Sequence, residues 1–205
     1  MHWRPLPLAG KGFAPLVRRG LCSIFGKLAR LLAGDWEAAW KSAKSQPVLG
    51  WSSSSGAQAF VVPTCFARMA TARGKPLPPA IETLFQAALA TTDDWSLDPD
   101  PGFAGRLRQA LTESMSSWEP DAVTGSAVIQ VAIRRVDAIV DAKHRGAYER
   151  AALLVIAAVE VFDRQGNAEA SRQLLQKVVE RHRRKYAFVG EIRRKQESFG
   201  YDPLL

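Results

Sequence analysis

The feature that most restricts the fold of this chain is the spacing in its last third. Residues 126–145, 147–165 and 168–184 each have helix-forming composition and apolar residues at helical intervals, and they are separated only by Gly146 and by Gly166 with Asn167. A shorter segment of the same kind, residues 186–199, follows. Separators this short turn the chain back at once, so successive helices must lie antiparallel, as αα-hairpins. Hairpins in series stack into a solenoid or an irregular bundle.

Further helices are expected upstream, less regularly placed. Leu16, Leu21, Phe25, Leu28 and Leu32 fall at helical spacing over residues 13–32. Gly34 suits a helix stop, and Asp35 can cap a second helix over residues 36–44 with its carboxylate. Residues 46–55 have loop composition, and their serines can cap a third helix over residues 56–73. Pro63 within it predicts a kink or a break near Val62. Pro78 or Pro79 suits the first turn of a fourth helix ending near Thr91. A fifth is expected over residues 103–118, followed by a break over 119–125. Period-two alternation of β-branched residues is missing apart from short runs such as Val61 and Val62, so no sheet is expected.

The expected fold is all-α, with about seven to eight helices in antiparallel hairpins, α-solenoid or tetratricopeptide-like. It divides into an irregular N-terminal helical region, residues 1–125, and a regular helical-repeat region, residues 126–205, within one continuous domain. The tetratricopeptide likeness rests on the segments opening at Gly34-Asp35-Trp36, Gly146-Ala147-Tyr148 and Gly166-Asn167-Ala168, where a glycine turn leads into small residues. The regular period and full signature of that repeat are lacking.

Composition bears on function mainly by exclusion. With 47% hydrophobic and 23% charged residues the chain can form a core without metal or disulfide staples. Cys22 and Cys65 lack the close spacing of a thiolate metal site and read as small buried hydrophobes. A reducing, cytoplasmic setting is the expectation. Lys27 and Arg30 interrupt the apolar run 21–32, so it does not read as a secretory signal. No stretch approaches the roughly 20 apolar residues of a membrane span, so no membrane partner is expected. The net charge of +8 is uneven: residues 1–75 carry 11 basic against 2 acidic side chains, 76–145 carry 6 against 10, and 146–205 carry 11 against 8. Partners of an electrostatic kind should therefore be sought at the basic ends.

Two polar groupings stand out. Asp137, Asp141, His144 and Tyr148, beside Arg135, fall at spacings of four, three and four, which puts them on one face of a continuous helix. Carboxylates next to an imidazole could hold a divalent metal or move a proton. The simpler account is a salt-bridge network, because Arg134 to Asp137 and Asp141 to Arg145 also stand at ion-pair spacing, with His144 at a helix end. His182 shows no partner in the sequence. The second grouping is Arg181, Arg183, Arg184 and Lys185 with Arg193 and Arg194, the densest positive stretch. Nucleic-acid binders need such clusters, although a basic helix C-terminus also suits the helix dipole, and Glu180, Glu191 and Glu197 dilute it. Trp51 with Ser52 to Ser55 could form an anion loop, but helix capping explains the serines more simply. Phosphate loops, nucleophile elbows and metalloprotease motifs are missing, so neither catalysis nor a cofactor is expected.

Val48-Leu49-Gly50-Trp51-Ser52-Ser53-Ser54, after a helix with Asp35-Trp36 and Ala39-Trp40, occurs together with Arg135-Val136-Asp137-Ala138-Ile139-Val140 and Lys143-His144-Arg145-Gly146-Ala147-Tyr148. The combination resembles the helical C-terminal region of large bacterial proteins often named for a SWIM-type zinc finger elsewhere in their chains, and it covers most of residues 34–195. The cysteines and histidine of that finger have no counterpart here, so its zinc and any nucleic-acid role attached to it do not carry over. The resemblance implies a helical fold and no activity. The expected function is protein–protein interaction or scaffolding by a non-enzymatic helical-repeat protein. The alternative is a nucleic-acid-associated module using Arg183, Arg184, Arg193 and Arg194.

Overall fold

The computed structural model describes residues 26–45, 57–71, 75–90, 102–115 and 118–201. Among these the protein is all-α, without β-strands, and contains nine α-helices, one more than the upper expected count. They are α1 (residues 26–32), α2 (Trp36–Lys44), α3 (Ala57–Ala70), α4 (Pro79–Ala90), α5 (Phe103–Met115), α6 (Ala122–Asp141), α7 (Tyr148–Arg164), α8 (Ala168–Arg181) and α9 (Tyr186–Ser198). Trp51, Ser52 to Ser55 and Cys22 lie outside the described residues.

Local signals account for most helix ends. Asp35 caps α2 by accepting from the Ala38 N–H at 3.3 Å, and Asn167 caps α8 through Ala170 at 3.0 Å. Asp121 accepts from the Thr124 N–H at 2.6 Å, so α6 starts at Ala122, inside the stretch expected to be a break. That bond holds the Asp121 carboxyl below its usual range. Pro79 opens α4, as a residue without an N–H can at a first turn.

Pro63 does not divide α3, which runs as one helix from Ala57 to Ala70. Its surroundings explain the tolerance: Val61, Val62, Cys65, Phe66 and Ala67 are all fully buried, so tertiary packing holds the segment where local propensity would break it. Burial also pushes the Cys65 thiol upward, which keeps it protonated and inert.

The core is one cluster running from Leu28 to Ile192, with α7 at its centre. Every residue from Ala151 to Val161 is buried, because α7 packs against α3, α4, α6, α8 and α9. A helix surrounded in this way needs apolar residues on all sides, and the run Ala151 to Val159 accordingly holds no polar side chain. Tyr148 meets Phe188 edge to face at 5.7 Å near the start of α7 and α9, and Glu160, in the last turns of α7, meets Tyr201 just past the other end of α9. These two helices therefore run parallel, with α8 returning between them in sequence. The α6–α7 and α8–α9 connections consequently share one end of the four-helix unit. The opposite end holds the C-termini of α7 and α9 and the N-terminus of α4.

Candidate functional site

Of the four residues expected on one helical face, the structure joins only the carboxylates, and to a different partner. Asp137 is mostly buried in the last turns of α6 and takes the His182 Nε2 at 2.9 Å and the Arg181 guanidinium at 3.0 Å, both from the end of α8. The Nδ1 of His182 faces Asp141 at 3.8 Å. His182 is 2% exposed, and its ring stands edge-on against Phe188 at 5.5 Å. With Asp137 ionised, the proton belongs on Nε2, an assignment made from the partners. An imidazole so enclosed has no free face for a substrate. The grouping ties α6 to α8 across the hairpin stack.

The ion pairs expected within α6 give way to this longer-range one: Asp137 engages Arg181 rather than Arg134. Arg135 is buried, and desolvation, with Arg150 nearby, lowers its affinity for the proton. His144 and Tyr148 leave the site because α6 stops at Asp141, four residues earlier than expected. His144 is exposed, and it is its backbone N–H, not its ring, that meets the helix end, at the Ile139 carbonyl. Tyr148 is buried against Phe188 after a short 3-10 turn, Arg145–Ala147. Among the described residues no three of histidine, cysteine, aspartate and glutamate are grouped to hold a metal ion.

The stop of α6 is itself unusual. After α1, α7 and α9 the chain turns through Gly34 (φ 80°), Gly166 (φ 73°) and Gly200 (φ 73°). In each case the following N–H reaches back five residues and the glycine N–H three, a Schellman cap. The same two bonds close α6, from His144 to Ile139 and from Lys143 to Val140, both at 3.1 Å. Here the left-handed position is filled by Lys143, with φ 58°. A side chain in that conformation meets the following carbonyl, a cost glycine does not have.

The basic residues singled out in the sequence separate into three groups. Arg181 is committed to Asp137, and Arg194 pairs with Glu191. Arg183 and Arg184 project into solvent from the α8–α9 connection, with Lys185 half-buried at the start of α9. Arg193 is exposed further along α9. What the sequence did not reveal is that the fold sets Lys143, His144, Arg145 and Arg150, all exposed, at the same end as Arg183 and Arg184. Of the acids there, Asp137 is paired with Arg181 and hydrogen-bonded to His182, and Glu149 is paired with Lys195 at 2.6 Å, which holds the Glu149 carboxyl below its usual range. Asp141 and Glu180 are exposed among the cations. Tyr186, 82% exposed, stands directly beside Lys185.

The opposite end contains a second buried group that sequence reasoning passed over. Glu160, 2% exposed, accepts from the N–H groups of Ala80 at 2.9 Å and Ile81 at 2.8 Å, and from the Tyr201 hydroxyl at 2.5 Å. A carboxylate 80 residues away in sequence thus caps α4, whose own flank, Pro78-Pro79, provides no capping side chain. Burial raises the proton affinity of Glu160 despite its three donors, and it raises that of Tyr201 as well. The available signal was a lone charge in the apolar run from Ala151 to Val161. His182 gave no such signal, since its partner lies 45 residues away and its neighbours are cations.

No helix among the described residues is long and apolar enough to cross a membrane. Compared with known protein families, curated proteins and solved structures, the chain matches none.

Proposed function

We propose that this protein works by binding rather than by catalysis, as a tetratricopeptide-like helical scaffold for a macromolecular partner. One observation carries the reading: the buried polar side chains in the two best-defined clusters are spent on the fold itself. Asp137 and His182 join α6 to α8, and Glu160 caps α4. The half-buried Glu82 and Arg108 join α4 to α5 through two bonds of 2.8 and 2.5 Å. The groups left facing solvent are those of a binding surface.

A protein partner is the first reading, in keeping with how stacked helical hairpins generally work. A cytoplasmic setting fits it, with Cys65 a buried free thiol. The exposure of Arg183 and Arg184 beside Tyr186 favours nucleic acid as the second reading. Kinship with the helical regions of SWIM-zinc-finger proteins belongs to the same proposal and adds no activity to it.

The test is affinity purification of the tagged protein from its own host, with and without nuclease and at two salt concentrations. A specific protein retained through nuclease treatment is the expected result for the first reading. Nucleic acid that is lost at high salt supports the second. Turnover of a substrate by the purified protein, abolished by Asp137→Asn, would overturn both.

A further inference from the structure

Lys143 is strained where it stands, Tyr186 adds nothing to the core, and the two stand at the same end of the molecule. Three of the four equivalent helix stops use glycine at the left-handed position, and only the stop of α6 uses a lysine. Nothing in the fold requires that side chain: Lys143 is exposed and makes no ion pair among the described residues, while its backbone bonds would serve a glycine equally well. Tyr186 is the most exposed large hydrophobic side chain among the described residues, where Leu32 and Val123 are the others, and Val123 lies at the opposite end of α6. Strain at Lys143 weakens the fold and is expected where a side chain serves a ligand, and the exposed Tyr186 ring leaves an aromatic face available beside it.

We propose that Lys143, Arg145, Arg183, Arg184 and Tyr186 form a binding surface for single-stranded nucleic acid, a proposal that rests on the second reading above. The cations come from both connections, and so can meet successive phosphates along a strand. Tyr186 offers a ring face on which a base can stack without sequence preference. The same surface suits an acidic protein less well. Protein interfaces are built around a buried apolar centre, and exposed large apolar side chains are few among the described residues, Tyr186 being the most exposed. A duplex would use the cations but leave the ring idle, since its bases are already stacked.

The experiment is fluorescence anisotropy with a labelled mixed-sequence single-stranded DNA, its duplex and polyglutamate, each titrated over a series of salt concentrations. Single-stranded DNA should bind most tightly, with log affinity falling linearly as log salt rises. Lys143→Gly with Arg145→Ala should reduce the salt slope by about 1 to 2. Tyr186→Ala should weaken single-strand binding roughly tenfold, with the slope unchanged. Lys143→Gly alone should melt at or above the wild-type temperature, which separates lost binding from lost folding. If single-stranded DNA binds and none of these variants alters it, the surface is wrongly assigned although the nucleic-acid reading stands. If no DNA binds even at low salt, that reading falls as well, and the protein-scaffold reading is left to the purification above. Equal binding of polyglutamate, indifferent to Tyr186, overturns the proposal in favour of an acidic protein.

Discussion

The two ends of the α6–α9 unit are made from the same helices and solve opposite problems. At one end α7 and α9 stop at glycines, Gly166 and Gly200, while Glu160 gathers two backbone N–H groups and the Tyr201 phenol. Arg164 also donates there to the Pro76 carbonyl. These caps and hydrogen bonds favour stability. At the other end a lysine fills the glycine position, an aromatic ring faces water, and exposed cations gather from two connections. The contrast separates residues that hold the fold from residues the fold tolerates, and proteins tolerate such residues chiefly where they serve a function.

The largest expected effect lies at the stable end. Glu160→Ala strands two buried N–H groups and a phenol, each worth about 1 to 3 kcal/mol, so chemical denaturation should show a loss of about 3 to 5 kcal/mol. A loss below about 1 kcal/mol would erase the distinction between the ends. Next comes the tie between the hairpins. Asp137→Ala leaves the buried His182 without its acceptor and should cost about 2 kcal/mol by the same measurement.

A pH titration sharpens the comparison further. The folded-state proton affinity of Glu160 is raised, so its contribution to stability is complete below the ordinary carboxylate range and is lost as pH rises through the folded value. The stability difference between wild type and Glu160→Gln should accordingly be widest in mild acid and shrink toward neutrality, by at most about 1.4 kcal/mol per pH unit. A difference that widens with pH would mean that the three donors outweigh the burial. The smallest effect has the opposite sign. Lys143→Gly should stabilise the protein by about 0.5 to 1 kcal/mol, raising its melting temperature, because it relieves the left-handed strain while keeping both cap bonds.

Much of this architecture can be read from the sequence, and the exceptions share a physical cause. α2 lies where Gly34 and Asp35 place it, and α7 and α9 end within one residue of expectation because glycines and polar caps announce their limits. The α6 stop was missed because the cap's glycine is replaced by Lys143, so the nearest visible signal was Gly146, three residues late. α3 was expected to break at Pro63 because propensity is local, whereas the burial that keeps the helix whole is not. In the candidate site the charges were legible but their assignments were not. Helical spacing offered Arg134 to Asp137, yet the observed partners, Arg181 and His182, come from another helix. Likewise the run from Arg181 to Lys185 reads as one dense positive stretch, although it holds a buried imidazole and a committed guanidinium.

The position of α7 has a consequence for the order in which the molecule can form. α3 and α4 face a helix that a ribosome would make some 60 to 80 residues after them, and the donors at the start of α4 wait for Glu160, whose third bond waits for Tyr201. Synthesis at about 5 to 20 residues per second leaves those helices unfilled for several seconds. The first half of the chain therefore depends on its last helices to complete it, and a ribosome stalled before α7 would hold a set of helices with no core to close around.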